Sequence, residues 1–496
     1  MRKFLTLGLV FLFILSCQPS TNHPYQGKVV DSAYLIAQIA HPERFFQQVY
    51  NLVQYCEPEL KSEDADWKKN LSAFFPSEAS AIISNFLESI DFSQPIMFVA
   101  SDESKPFGES LQVIFSVKSN VPAMLIPIME VLNFTYKQHQ NIIILSNFPN
   151  ALEPKAAFDL NQLQLSVDPS VEIYVKNNKA LLTEDALSSV NSFKAFRSMI
   201  LLEPEPKIQT RWDLEEDSEL AFDFQKLVSQ QQDLKVIMDK LPKDGLLGWA
   251  ARLNYDAISK ENIIAFFQAL GVSEDILQVV SEHDLYKLLP EGFSFYLKNS
   301  DNTPLDFDDS SKLELEFYLV KTASVEGVFR LLQIIFSKLQ ESPSDFVFQA
   351  NNFRSRTEKK HGLDFTIWEM KPEPISPNDR MVVAEVKSGD FFVSGITNLP
   401  FDRISPNFKN ITQTRDYPFS KETNFALWFN TDAMAQIAPP VPIDEGPLGK
   451  TWLLASYHES SMEFNFISNR QTLKYFYQLG KATSFGEVFN EPISEY

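Results

Sequence analysis

The stretch 312–321, KLELEFYLVK, constrains the fold more than any other. Leu313, Leu315, Phe317 and Leu319 alternate with Glu314, Glu316 and Tyr318. Successive side chains of a strand point to opposite faces, so period-two alternation of this kind means a strand with one face buried and one wet. A related stretch, SLQVIFSVK at 110–118, occupies the matching place in the first half of the chain.

That match belongs to a longer one. SAYLIAQIA (32–40) and FFQQVYNL (45–52) give a strand and an amphipathic helix, and GLLGWAARLN (245–254) with IIAFFQAL (263–270) repeats the order. SQPIMFVASD (93–102) corresponds to GFSFYLKNSD (292–301), VEIYVKN (171–177) to FALWFNT (425–431), and SELAFDFQ (218–225) to SMEFNFIS (461–468). The helical pattern of 325–339, with Ser324 as its N-cap, answers 121–132, where Pro122 suits a first turn and Pro127 should kink the helix. Agreement in order points to an internal duplication. KPEPISPNDR (371–380) and PPVPIDEGPLGK (439–450) read as insertions in the second copy. The connection between 93–102 and 110–118 is too short for a parallel crossover, so pairing is antiparallel. The expected fold class is α+β, with two similar lobes, each a mostly antiparallel sheet with helices packed on one face. The expected division is a signal peptide at 1–16, a flexible tether at 17–26, a first repeat at 27–240 and a second repeat with insertions at 241–496.

Composition narrows the partners. The formal charge of −21 becomes more negative once Arg2 and Lys3 are removed with the leader, so nucleic acid and anionic head groups repel the chain. Hydrophobic residues at 44%, 43 Phe among them, exclude wholesale disorder and call for large packed cores.

At the N-terminus, Arg2 and Lys3 precede an apolar run, Phe4 to Leu15, that is too short to span a bilayer; the small Ser16 follows. Beyond it CQPSTNHPYQGK turns abruptly polar and reads as a tether. Ile14-Leu15-Ser16-Cys17 resembles the lipobox of bacterial lipoproteins, with Ile14 in place of the commoner leucine. The resemblance implies cleavage before Cys17 and acylation of its sulfur, which makes Cys17 a membrane anchor. Gln18 stands where an aspartate would retain many lipoproteins in the inner membrane, so the outer membrane is implied. No acidic run follows, which favours the periplasmic face. In length, lipobox and repeated strand–helix order, the chain resembles large uncharacterised lipoproteins of the Bacteroidota and related bacteria, whose domains have no known activity to carry over.

Motifs for catalysis or metal binding are missing. With Cys17 lipidated, Cys56 is left alone at the end of an amphipathic helix and reads as a small core residue, so neither an internal disulfide nor a cysteine-based zinc site is expected. Gly449-Lys450-Thr451 imitates a phosphate-binding loop, but Asp444 stands where the first glycine is required, and TWLLASY after it reads as strand rather than helix. His23, His41, His139, His283, His361 and His458 show no metal spacing. His458-Glu459 begins like a zincin helix, but Met462 takes the second histidine's place. The acidic runs 301–312 and 213–219 lack the glycine and ligand spacing of a calcium loop and read as solvated turns. Asp31-Ser32-Ala33 fits a short O-glycosylation acceptor pattern.

The sequence therefore points to a membrane-anchored envelope lipoprotein with a non-catalytic binding or structural role. No catalytic residue, cofactor or metal is expected, and the only assigned site residue is Cys17. An unknown envelope protein is the expected partner, without nucleic acid. A carrier of a hydrophobic ligand in an apolar cavity is the alternative, and an envelope hydrolase the third reading.

Overall fold

A computed structural model describes residues 23–29, 32–57, 66–69, 77–101, 110–118, 134–147, 171–176, 193–202, 205–214, 234–242, 245–251, 290–299, 313–322, 353–370, 381–411, 416–437, 448–458 and 460–482, with 152, 158, 160 and 324 placed singly. The helical patterns 121–132 and 325–339, the strand pattern 218–225 and the insertion 371–380 lie outside the described residues, as does Cys17.

The chain divides into two compact units, 1–203 and 204–496. The first holds β1 (Leu35–Ile39), β2 (Ile96–Ala100), β3 (Leu111–Ser116), β4 (Thr135–His139), β5 (Ile142–Ser146), β6 (Val171–Lys176) and β7 (Phe193–Leu201). Their pairing gives the order β7-β6-β1-β2-β3-β5-β4, antiparallel throughout. Helix α1 (Pro42–Cys56) begins at a proline whose missing N–H is harmless in a first turn, with Glu43 beside it. Its Phe45, Phe46 and Tyr50, with Phe86 and Leu87 of α2 (Ser77–Ser89), pack with Ile39, Ile96, Phe115 and Ile143 of the sheet. Trp67 completes this layer, stacked on Phe46 with centroids 4.8 Å apart. Tyr25, Val29 and Ala33 form a separate core with Ile36, Met97, Val99, Ile114 and Ile144.

The second unit holds β8 (Lys207–Leu214), β9 (Leu247–Ala251), β10 (Gly292–Asn299), β11 (Leu313–Lys321), β12 (Phe353–Lys360), β13 (Leu363–Met370), β14 (Val382–Ser388), β15 (Phe391–Thr397), β16 (Phe425–Asn430), β17 (Lys450–His458) and β18 (Ser461–Ile467). The order is β12-β13-β14-β15-β11-β10-β9-β16-β17-β18-β8, again antiparallel. The seven-strand order of the first unit recurs inside it as β17-β16-β9-β10-β11-β15-β14. Strands β1 and β9, at matching places, also share one alternation of buried and half-buried residues.

These findings correct the expected fold class. The described residues hold 18 strands of antiparallel sheet, while the helices besides α1 and α2 are few: α3 (Leu234–Met238), α4 (Phe401–Ile404), α5 (Thr431–Ile437) and α6 (Arg470–Ala482). This is mostly antiparallel sheet, not a two-lobe α+β arrangement. The expectation erred because several strands carry no alternation. FRSRTEKK (β12) and TYKQH (β4) are polar on both faces, and each terminates the pairing order, where charge discourages further strand addition. Their hairpins turn at His361-Gly362, with φ of 54° and 78°, and at Gln140, with φ of 56°. The division between units also falls after Glu203 rather than after 240, because β8 pairs with β18 and α3 packs in the core of the second unit.

The alternation in β11 is real, but its wet face is the buried one. Glu314, Glu316, Tyr318 and Val320 are buried, and Leu313, Leu315, Phe317 and Leu319 are half-buried. Tyr318 and Val320 join a core closed by Leu234, Ile237 and Met238 of α3 and by Phe401, Ile404 and Phe408 of α4 and the 3-10 turn after it, Ser405–Asn410. Phe365 meets Phe401 and Phe408 edge-on at 5.1 and 5.2 Å, contacts that contribute roughly 0.5–1.5 kcal/mol each beyond area burial.

Two glycines let aromatic rings reach the sheet backbone. Gly248 of β9 is the cross-strand partner of Trp428, and a methyl group there would lie 2.0 Å from Trp428 Cζ2. A methyl on Gly395 would lie 2.9 Å from Phe408 Cζ. Gly248→Ala should therefore lower the unfolding free energy by about 1–3 kcal/mol, the usual cost of overpacking. In urea titrations the loss should shrink in a Trp428→Leu background; an undiminished loss would mean that the ring is not the obstacle.

Candidate functional site

Cys17 lies outside the described residues, and the described chain begins six residues after it, at His23. Composition assigned 17–26 to a tether, yet from His23 onward this segment belongs to the core of the first unit: Tyr25 and Val29 are 0% exposed. Two successive turns fold it, with the Gln26 amide donating to the His23 carbonyl and the Lys28 amide to the Tyr25 carbonyl, and with Gly27 at φ 77°. Gly27 supplies the left-handed backbone at little steric cost.

The sheet face beneath is unusually polar for a core. Gln112 Nε2 donates to the Lys28 carbonyl at 2.9 Å, and the Leu160 amide donates to Gln26 Oε1 at 3.0 Å. The Tyr25 hydroxyl donates to the Pro95 carbonyl and lies 3.3 Å from Ser116 Oγ. Burial pushes that hydroxyl's pKa up to about 12. His23 Nδ1 accepts the Tyr25 amide at 3.2 Å, which leaves the proton of the neutral ring on Nε2, 2.7 Å from Gln38 Oε1. Burial lowers the His23 pKa, against the Gln38 bond that raises it. Gln38 is the cross-strand partner of Glu172, which is 1% exposed with Arg197 Nε 3.5 Å away.

Two further polar groups lie in the second unit. Glu316 Oε2 accepts from the Tyr318 hydroxyl at 2.6 Å and from Asn407 Nδ2 at 2.8 Å. Burial first, and then the Glu316 charge, push the Tyr318 hydroxyl well above its ordinary range. The other group joins Lys321 and Glu385, 3.4 Å apart, both nearly inaccessible. Ser324 Oγ and Ser394 Oγ donate to the two Glu385 oxygens at 2.5 and 2.9 Å. Burial lowers the Lys321 pKa, and Glu385 opposes that shift. Lysine, serine and carboxylate are the ingredients of a nucleophilic site. Here one carboxylate, Glu385, accepts from both hydroxyls and also faces the Lys321 ammonium. The arrangement holds a buried charge; Ser324, expected as an N-cap, has its described bond to Glu385.

The phosphate-loop imitation acquires a physical explanation. The Leu448 and Gly449 amides donate to Asp432 Oδ1 and Oδ2 at 2.7 and 3.0 Å, so a carboxylate from α5 occupies the anion-binding turn. Lys450 then opens β17. Asp444 lies outside the described residues. Cys56 ends α1 half-buried. His458 Nε2 lies 3.9 Å from Glu463, on the β17–β18 hairpin, and His361 Nε2 lies 3.5 Å from Ser405 Oγ at a turn. His139 ends β4 and His41 precedes α1, while His283 lies outside the described residues. Among the described residues no three His, Cys, Asp or Glu side chains gather as metal ligands, and no helix is long and apolar enough to cross a membrane.

Sequence reasoning missed the N-terminal segment because its packing partners, Gln38 of β1 and Gln112 and Ser116 of β3, lie 15 to 91 residues along the chain from the groups they meet. Comparison with known proteins finds no matching family model, no matching curated protein and no matching solved structure.

Glu385→Gln should destabilise the fold by about 3–5 kcal/mol, because it strands the Lys321 charge in the interior. The pair Lys321→Met with Glu385→Leu should recover most of that loss. Urea unfolding reads both, and a single variant as stable as the parent would exclude a buried charge pair.

Proposed function

We propose that the chain is a cell-envelope lipoprotein, held by lipid on Cys17 at the outer membrane facing the periplasm, with a non-catalytic role as a binding or structural body. One observation carries the reading: the segment six residues after Cys17 is built into the core of the first unit, with Tyr25 fully buried. An anchor on Cys17 would thus be joined to a folded body through a leash of at most about 20 Å, the reach of six extended residues. The non-catalytic role is supported by the use of the buried charges. Glu316 and Glu385 serve Tyr318, Asn407, Lys321 and two serines, partners that lie within the sheet or on the chain beside it. We also propose that the two units arose by duplication, on the strength of the seven-strand order common to both.

Cys17→Ser should move the protein from the membrane to the soluble fraction and abolish incorporation of labelled fatty acid. Retention on membranes with an uncleaved leader would defeat the anchor. Protease added to intact cells should leave the protein whole; ready digestion would place it on the cell surface.

A further inference from the structure

The described residues between the expected anchor and β1, 23–29 and 32–34, form a strap laid on the first unit. Apart from Tyr34, whose backbone continues the ladder of β1, it is held by the buried Tyr25, Val29 and Ala33 and by a small set of polar groups: one imidazole, one phenol and a few amides. The weakest of these links to acid is His23, because one of its ring nitrogens must stay unprotonated to accept the Tyr25 amide. A proton there would turn an acceptor into a donor and set two N–H groups against each other in a half-buried position.

We propose that residues 23–34 are an acid-released strap, in which protonation of His23 frees the segment from the first unit and lengthens the leash to the anchor. The groups around the imidazole are consistent with this. On its own segment Tyr25 meets it edge-on, with centroids 5.6 Å apart. On β1 it meets Gln38; on β6, Glu172 neighbours Gln38 but already faces Arg197 of β7. Asp91, in the turn before β2, and Ser116 of β3 lie toward the Tyr25 hydroxyl. Among the described residues no carboxylate is thus committed to the imidazolium, and the folded pKa lies below 6.5.

The sign follows from linkage. The released strap takes up a proton near pH 6.5, whereas the seated strap resists it down to its depressed value. Between those limits each unit of acidification favours release by up to tenfold. Above pH 6.5 the contribution of His23 is constant and the strap stays seated. The lengthening, which rests on the lipid-anchor reading, is from about 20 Å, Cys17 to His23, to about 60 Å, Cys17 to Leu35.

Hydrogen exchange on the chain 17–496, corrected for intrinsic rates, tests the release between pH 7.5 and 5.0. The peptide 23–34 should open up to tenfold more per unit of acidification below 6.5, while 111–117 in the same sheet stays unchanged. His23→Gln keeps a donor for Gln38 but takes no proton, and should make the opening of 23–34 independent of pH. Tyr25→Phe, losing the Pro95 bond, should loosen the strap at every pH and leave the slope as it was. A flat parent profile, or an equal slope in His23→Gln, would overturn the proposal. Energy transfer from a dye on Val53→Cys (in a Cys56→Ser background) to an acceptor lipid reads the leash in lipidated protein on vesicles, and should fall at pH 5. Unchanged transfer despite strap opening would overturn the lengthening. A chain that carries no lipid would defeat the anchor reading, while the exchange result still decides the strap.

Discussion

The antiparallel pairing of β11 with β10 on one side and β15 on the other is what the second unit depends on. Backbone groups buried between strands must be hydrogen-bonded, and β11 meets that demand along eight registered pairs with β10 and six with β15. Once that register exists, the pleat leaves no choice about faces. Glu314, Glu316, Tyr318 and Val320 share one side, and whatever packs on that side must answer two carboxylates as well as two apolar groups.

The 401–411 segment supplies that answer. Phe401, Ile404 and Phe408 bury apolar area against Phe365 and Tyr318, while Asn407 and Arg403 address Glu316 and Glu314 from the same turns. Arg403 Nη2 lies 3.3 Å from Glu314, and Lys298 adds a second cation at 3.4 Å. Unpaired, these carboxylates would each cost several kcal/mol in the interior, so the cover is specified by charge as much as by shape. The first unit solves a similar problem differently. On its polar face Gln112 is met by the Lys28 carbonyl and Gln38 by the His23 ring, while Glu172 faces Arg197 of β7.

How much of this was legible depended on whether the signal was local. The strands 110–118, 292–301, 312–321, 425–431 and 461–468 could be read because alternation or apolar runs are properties of neighbouring residues. Strands β4, β12 and β8 could not, because at the margins of a sheet both faces tolerate polar side chains and the period disappears. Turn chemistry was the remaining clue: the His361-Gly362 pair between FRSRTEKK and LDFTIWEM signals a hairpin, and reading it would have moved the expectation away from α+β.

By itself the sequence determined the existence and type of the central strands, the acidic character of the body and the lipobox-like pattern Ile14-Leu15-Ser16-Cys17. All of these follow from residues adjacent in the chain. Tertiary structure alone decided which side of β11 is buried, that Asp432 occupies the amide turn at Leu448-Gly449, and that the supposed tether from His23 onward is core. The physical reason is common to all three. A glutamate, a backbone amide or a histidine can be buried or solvated according to whether a partner arrives from a distant strand, and no local pattern encodes that arrival.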